Sequence, residues 1–143
     1  MTAIRIEALD HVVLRITDLE RSRRFYCDVL GCVEERAIEQ LGLYQLRAGA
    51  SLIDLVDVES PLGRVGGPPP GEGARNVDHV AVQLATFDEQ AIRQHLEAHG
   101  VEPGDVQQRY GAQGTGPSMY VRDPDGNVIE LKGPPSAASG ASG

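Results

Sequence analysis

The sequence predicts an α+β protein built from two βαβββ modules, because one order of elements occurs twice along the chain. Asp10-His11-Val12 opens an apolar, strand-like run, and Asp78-His79-Val80 opens a second one. In each half a polar, helix-like stretch then ends at a glycine, Gly31 or Gly100, and short strand-like runs follow. A repeat constrains the whole architecture and therefore weighs more than a single motif.

The first module is predicted to span residues 1–58. Residues 8–16 (ALDHVVLRI) are β-branched and largely apolar, which is typical of a strand. Residues 19–30 carry apolar side chains at helical spacing, and Gly31 provides a helix stop. Three further strands with glycine-containing turns between them complete the module, at 32–39, 43–48 and 52–58.

The second module is predicted to span residues 77–132 with the same order of elements. Residues 77–84 form its first strand, and residues 88–99 form a helix that stops at Gly100. The turn signal Asp123-Pro124-Asp125-Gly126 joins the last two strands, and GAQGTG at 111–116 is predicted to be a flexible loop. The remaining strands are expected at 106–110, 117–122 and 127–132.

Two segments are predicted to lie outside the modules. Residues 59–76 are rich in Pro and Gly and poor in apolar side chains, so they are predicted to form a linker or surface loop. Residues 133–143 (GPPSAASGASG) are predicted to form a disordered tail.

Composition narrows the classes of partner and location. The 143 residues carry a net charge of −8, which argues against a nucleic-acid partner. No apolar run is long enough to span a bilayer, and the N-terminus lacks a signal-peptide pattern, so we expect a cytoplasmic protein with no membrane partner. Cys27 and Cys32 fit no redox or zinc spacing and are predicted to be free thiols.

Strand alternation suggests where the chemically active side chains lie. His11 stands opposite the apolar row Val12, Leu14 and Ile16, and three further side chains stand opposite the more apolar rows of their strands: His79, Asp54 and Glu130. If the apolar rows pack under the helices, the two His and two carboxylates converge on the other side and form a metal site. The alternative is a half-solvated antiparallel sheet in which these residues are ordinary exposed side chains.

The strands LDHVVL and VDHVAV, the helix end FYCDVLG and the closing RDPDGNVIEL resemble the vicinal oxygen chelate superfamily, the group of glyoxalases, bleomycin-resistance proteins and extradiol dioxygenases. The resemblance extends from about residue 6 to residue 132. It implies that the two modules form a curved, incompletely closed eight-stranded mixed sheet with the helices outside. It also implies a divalent metal ion in the cleft, a small-molecule substrate and a homodimer.

Residue by residue, the resemblance makes His11, His79 and Glu130 the metal ligands of the first, fifth and last strands. Asp54 matches the fourth-strand position, which is Glu in many glyoxalase I enzymes. Because Asp is shorter, Asp54 could ligate directly, bind through water or act as the base. Two imidazoles and one or two carboxylates suit Mn, Fe, Ni, Co or Zn, and the sequence does not choose among these metals.

The leading functional hypothesis is a metal-dependent lyase or isomerase of glyoxalase I type. Its substrate would be chelated through neighbouring oxygens, with Glu130 or Asp54 moving the proton. Three alternatives stay open: a thiol transferase of the fosfomycin-resistance type, an Fe(II) extradiol dioxygenase, and a drug-binding protein that uses no metal.

Other polar residues receive weaker assignments. Tyr120 and Arg122 share one face of the seventh strand and could contact a substrate, although a structural cross-strand role fits equally well. Lys132 and Arg15 lie near strand ends, where a solvated charge is the expected state.

Overall fold

A computed structural model describes residues 3–136 and divides the chain into two compact units, one ending at Pro70 and one beginning at Gly71. Each unit contains one βαβββ module, so the predicted α+β class and the two-module plan are confirmed. Each module forms its own four-stranded mixed sheet.

The sheet of the first module has the strand order β1-β4-β3-β2, with β1 parallel to β4 and the other pairs antiparallel. Its elements in chain order are β1 (His11–Ile16), α1 (Leu19–Arg23, continued by a π-helical turn, Arg24–Val29), β2 (Val33–Ile38), β3 (Leu43–Ala48), β4 (Ser51–Asp57) and the short α2 (Pro61–Arg64).

Helix α1 begins where the sequence predicts, but its second half has a different geometry. Asp18 caps the N-terminus, and its Oδ1 accepts a hydrogen bond from the backbone N–H of Arg21 at 3.1 Å. The last turn widens, since the N–H of Leu30 donates to the carbonyl of Phe25 at 3.0 Å. The widened turn buries Phe25, Tyr26 and Val29.

The second module repeats this sheet with the order β5-β8-β7-β6, in which β5 is parallel to β8. Its elements are β5 (Val80–Gln83), α3 (Glu89–Ala98), β6 (Val106–Gly111), β7 (Gly114–Arg122) and β8 (Val128–Lys132). Within residues 3–136, no helix combines the length and the apolar character that a membrane span requires.

The strand pairing of the two modules follows the repeat in the sequence. Val13 of β1 lies opposite Asp54, and Ala81 of β5 lies opposite Glu130. His11 precedes Val13 by two positions on β1 and so shares its strand face, whereas His79 lies just before β5, two positions ahead of Ala81. The two carboxylates therefore occupy equivalent positions of β4 and β8, and each His lies at or just before the start of the strand parallel to them.

The apolar rows predicted from alternation are buried in β4 and β8 and at Leu14 and Ile16 of β1, whereas Val80 and Val82 of β5 are half-buried. Leu14 and Ile16 of β1 have no exposed surface, and Ile129 and Leu131 of β8 are at most 4% exposed. The row opposite Leu14 is more open, with Val13 at 45% exposure. Each carboxylate strand thus has one side in the core of its module.

Residues 111–116 form a tight hairpin, so the prediction of a flexible loop is wrong. Gly111 of β6 pairs with Gly114 of β7, and only Ala112 and Gln113 remain as the turn. The glycines that suggested flexibility serve close packing instead, since a Cβ at Gly116 would lie 2.5 Å from the carbonyl oxygen of Pro134.

The first residues of the predicted tail run along β7. Gly133 donates its N–H to the carbonyl of Pro117 at 2.8 Å, and Ser136 donates to that of Thr115 at 3.1 Å. The prediction of disorder is therefore wrong for residues 133–136. Residues 137–143 lie outside the described part of the chain.

The Pro- and Gly-rich segment contains structure at its start. Ser60 caps the single turn of α2 by accepting a hydrogen bond from the N–H of Gly63 at 3.0 Å. Arg15 was predicted to be solvated, but its guanidinium donates to the carbonyls of Gly63, Gly67 and Pro68. Arg15 therefore fastens this segment to β1.

Candidate metal and catalytic site

In the first module the predicted carboxylate ligand is Asp54. It is only 2% exposed, which excludes the alternative of a solvent-facing residue. Its Oδ2 accepts a hydrogen bond from Nε2 of Gln45 at 3.1 Å. Its Oδ1 is buried without a hydrogen-bond partner in the described part of the chain. A buried carboxylate oxygen in this state is costly unless a cation or a proton satisfies it.

His11 lies on the neighbouring strand and is held by the residue before it. Its Nδ1 is 2.8 Å from Oδ2 of Asp10. This hydrogen bond raises the pKa of His11, and the nearby negative charge of Asp54 raises it further. When Nδ1 carries the proton shared with Asp10, Nε2 is the nitrogen with a lone pair for a metal ion.

The second module repeats the contact between an Asp and the following His, and there the His also lies close to the predicted carboxylate ligand. Nδ1 of His79 is 2.7 Å from Oδ2 of Asp78, and its Nε2 is 3.2 Å from Oε1 of Glu130. The hydrogen bond from His79 lowers the pKa of Asp78, and the positive charge of Arg75 lowers it further. His79 is thus oriented by a carboxylate at one nitrogen and faces Glu130 with the other.

Glu130 is 6% exposed and its second oxygen is also engaged. Oγ of Ser118, a residue with no exposed surface, donates to Oε2 at 2.8 Å. Nη1 of Arg109 donates to both the hydroxyl and the carbonyl oxygen of Ser118, each at 3.0 Å. The carboxylate is therefore held by a chain of hydrogen bonds that begins at Arg109.

Of the two predicted substrate contacts, Tyr120 lies beside this cluster. Its ring meets the ring of His79 edge-on at a centroid distance of 5.6 Å, and the guanidinium of Arg109 lies 4.2 Å from its centroid. Arg122 is exposed and pairs with Val128 at the far end of β8 from Lys132. The structure brings Tyr120 to the cluster and leaves Arg122 further along the strand.

Lys132 is buried at 5% exposure, so its predicted solvation is wrong. Nζ donates to the carbonyl oxygens of Gly114 and Gly133 at 3.1 and 3.3 Å. The ammonium group thereby joins the start of β7 to the segment that follows β8. Alternation correctly placed Lys132 on the face of Glu130 but gave no sign of these carbonyl partners.

Within residues 3–136, no three His, Cys, Asp or Glu side chains stand close enough together to hold a metal ion. The four predicted ligands divide by module: His79 lies 3.2 Å from Glu130 in the second, and in the first Asp54 lies near enough to His11 for its charge to raise the pKa of that His. Their chemistry fits a divalent metal, because each His has Nδ1 fixed by a carboxylate and Asp54 has an unsatisfied buried oxygen.

Sequence reasoning assigned no role to several residues that support these pairs. Asp10 and Asp78 had a clear signal, since the same residue precedes His in both repeats. Ser118 shares a strand face with Tyr120, but no pattern in the sequence indicates that its hydroxyl reaches Glu130. Gln45 and Arg109 likewise come from strands whose pairing only the structure reveals.

Comparisons with known proteins agree with the fold and the repeat. The family model of the Glyoxalase/Bleomycin resistance protein/Dioxygenase superfamily matches residues 8–131. The chain is 31% identical to virulence protein STM3117 of Salmonella typhimurium over 128 residues, covering 88% of this chain and 83% of that protein. The crystal structure of STM3117 has a TM-score of 0.72 to this chain at 26% identity, covering 92% of this chain and 100% of that one.

A second relative has a name that states an activity. The chain is 29% identical to the catechol-2,3-dioxygenase of Bacillus subtilis over 133 residues, which cover 92% of this chain. It spans only 43% of that dioxygenase. With the match of the family model over most of its length, the chain belongs to the Glyoxalase/Bleomycin resistance protein/Dioxygenase superfamily.

Proposed function

We propose that the protein is a metal-dependent lyase or isomerase of glyoxalase I type, and that the predicted ligands of its two modules bind a divalent metal ion. The observation that carries the proposal is the unsatisfied Oδ1 of Asp54, buried beside His11. The ligands would be His11, His79 and Glu130, with Asp54 as a fourth ligand or as the base. Mn, Fe, Ni, Co and Zn all suit this donor set.

When bound, the metal would supply Lewis-acid stabilisation of the negative charge that develops on two neighbouring substrate oxygens. The chain's own residues would move the proton. Oε2 of Glu130 accepts a hydrogen bond from Ser118 and its Oε1 faces Nε2 of His79, whereas Oδ1 of Asp54 has no partner in the described residues, which favours Asp54 as the base. It would take a proton from one substrate carbon and return it to the adjacent carbon, so that the reaction is an isomerisation with no net redox change.

Metal content is the decisive measurement. We expect about one metal ion per chain in protein purified without chelator or nickel resin, measured by mass spectrometry. His11→Ala and His79→Ala should each remove it, because each deletes one of few ligands. His99→Ala is the matched control, since His99 is exposed at the end of α3 and should leave the metal in place.

The variants also separate one shared site from two separate ones. Loss of all metal in either His variant supports a shared ion, and loss of half in each would contradict it. Absence of metal in the wild type, with no uptake of Mn, Fe, Ni, Co or Zn, would reject the enzymatic function and favour a drug-binding protein. Dicarbonyl–thiol adducts are the substrates to test first.

The second candidate is an Fe(II) extradiol dioxygenase, favoured by the 29% identity to a catechol-2,3-dioxygenase. His, His and a carboxylate with open positions suit non-haem Fe(II). Oxygen consumption with catechol after anaerobic Fe(II) loading would favour this activity over isomerisation. Fosfomycin with a thiol belongs in the same substrate panel, to test the thiol-transferase alternative.

We also propose a homodimer in the cytoplasm. Cys27 and Cys32 are free, which agrees with a reducing compartment. Burial raises the pKa of Cys32 to about 11, so that this thiol stays protonated and unreactive at neutral pH. Sedimentation analysis would test the dimer directly.

A further inference from the structure

Each of the two buried carboxylates has one oxygen occupied by a polar side chain from the neighbouring strand. In the second module this side chain is Ser118, whose Oγ donates to Oε2 of Glu130 at 2.8 Å. In the first it is Gln45, whose Nε2 donates to Oδ2 of Asp54 at 3.1 Å. The other oxygen of each carboxylate makes no contact with these donors.

An arginine one strand further out sets the direction of each donor. A serine hydroxyl has a single proton, and Nη1 of Arg109 donates to Oγ of Ser118 at 3.0 Å. The hydroxyl proton is therefore available to Glu130. In the first module, Nη1 of Arg36 donates to Oε1 of Gln45 at 3.3 Å, which turns Nε2 of the amide towards Asp54.

The second oxygen of each carboxylate, the one that Ser118 or Gln45 does not contact, has a different environment. Oε1 of Glu130 lies 3.2 Å from Nε2 of His79, the nitrogen that a metal ion would use. Oδ1 of Asp54 is buried without a partner in the described residues. In each module the oxygen that the donor leaves open is the one placed to meet a cation.

We propose that Ser118 and Gln45 are positioning residues: Ser118 restricts Glu130 to binding the metal through one oxygen, and Gln45 leaves Oδ1 as the oxygen of Asp54 that ligates the metal or takes the proton. The inference rests on the proposed metal function. Without the donor, the carboxylate can rotate and offer either oxygen or both. Partners of this kind typically change metal affinity by about 10- to 100-fold.

Titration of the metal-free protein with Co²⁺, followed by its visible absorption, tests the inference without an activity assay. Ser118→Ala should weaken Co²⁺ binding by about 10- to 100-fold and change the absorption spectrum, because the coordination by Glu130 changes. Ser118→Thr keeps the hydroxyl and should restore both the affinity and the spectrum. Gln45→Met should give a smaller loss, because its bond to Asp54 is longer and its arginine is exposed.

Ser22→Ala is the matched control. Ser22 is also fully buried, and its Oγ has no hydrogen-bond partner within the described residues. Its removal should leave affinity and spectrum unchanged. If Ser118→Ala fails to fold, Arg109→Met tests the inference in its place, because it removes the hydrogen bond that orients the hydroxyl of Ser118. It should produce the same change in the Co²⁺ absorption spectrum with a smaller loss of Co²⁺ affinity.

Wild-type affinity and spectrum in Ser118→Ala would overturn the inference, as would a loss of affinity in a folded Ser118→Thr equal to that in Ser118→Ala. A wild-type protein that binds no Co²⁺ would instead contradict the proposed function, and the inference with it. The two failures are therefore distinguishable.

Discussion

The two modules place a carboxylate at the same register position but support it from different directions. Asp54 lies directly opposite Gln45, its hydrogen-bond donor, on β3. Glu130 lies opposite Tyr120, and its donor Ser118 pairs with Lys132 and so reaches Glu130 diagonally. The longer Glu side chain and the short Ser side chain meet across this diagonal.

The difference changes how completely each carboxylate is satisfied. Oε2 of Glu130 accepts a hydrogen bond at 2.8 Å and its Oε1 lies 3.2 Å from Nε2 of His79, whereas Oδ1 of Asp54 has no partner in the part of the chain that the structure describes. A sequence repeat can therefore conserve register while the chemistry of the two positions diverges. Glu130 is suited to a fixed role, and Asp54 is suited to a role in which a proton or ligand arrives and leaves.

The largest expected difference lies in the helices that cover the sheets. Helix α1 with its π turn buries Phe25, Tyr26 and Val29, whereas α3 buries only Leu96. Tyr26→Ala should lower the free energy of unfolding by about 3–5 kcal/mol, because it empties a fully buried site. Urea denaturation of the metal-free protein measures this.

Tyr110→Ala is the control for that change, since Tyr110 is 84% exposed and should alter stability by less than about 0.5 kcal/mol. An equal loss of unfolding free energy in both variants would show that burial of the tyrosine side chain does not cause the effect.

The two carboxylates should respond in opposite directions to neutralisation in the metal-free protein. Glu130→Gln should lower the free energy of unfolding by about 1.5–3 kcal/mol, because it removes charge-assisted hydrogen bonds. Asp54→Asn should raise it by about 1–3 kcal/mol, since the unsatisfied charge disappears while Gln45 keeps an acceptor. Chemical denaturation in the presence of a chelator measures both, and destabilisation of equal size in the two variants would contradict the comparison.

The sequence predicts the order of elements and the faces of the strands because these follow from short-range periodicity. The row of Leu14 and Ile16 is buried as alternation requires, and Asp54 lies on the opposite face of its strand from Ile53. The end of helix α1 at Gly31 is equally local, since its φ of 80° is a conformation that glycine adopts without strain.

What the sequence could not predict depends on partners distant in the chain. Lys132 and Arg15 were expected to be solvated, yet Lys132 donates to the carbonyl of Gly114 and Arg15 to that of Gly63, and folding brings both carbonyls close. The prediction of a flexible loop at 111–116 was wrong because composition does not distinguish a mobile glycine from one that allows close packing, as at Gly116. The donor to Glu130 was missed for the same reason, since Ser118 reaches it through strand register.

The aspartate before each His is the feature that the modules share most closely. Asp10→Asn and Asp78→Asn should each reduce Co²⁺ affinity by about 10-fold, because an amide still accepts the hydrogen bond from Nδ1 but no longer provides the charge that makes the imidazole a better ligand. Competition with a coloured chelator measures the affinity.

Asp105→Asn, at an exposed aspartate before β6, is the control and should leave the affinity unchanged. A loss confined to one of the two His-linked variants would show that only one module holds the metal through its His.

The smallest expected effect concerns the outer strand pairs. Arg47 on β3 donates from Nε and Nη2 to the two carboxylate oxygens of Glu35 on β2, at 3.0 and 2.9 Å, whereas β6 and β7 carry no ion pair between them in the described residues. The hydrogen bonds from Arg47 lower the pKa of Glu35 below its usual value of 4.5.

A carboxyl group whose pKa is lower in the folded state stabilises the protein at pH values above its unfolded-state pKa. This stabilisation is lost as the pH falls through the folded-state pKa. Glu35→Gln should therefore be slightly less stable than wild type at neutral pH, and the difference should shrink as the pH falls below about 4.5. Thermal unfolding of both proteins from pH 7 to pH 3 measures this difference in stability. A difference that is as large at pH 3 as at pH 7 would mean that packing of the Glu35 side chain, rather than its charge, supports the β2–β3 pair.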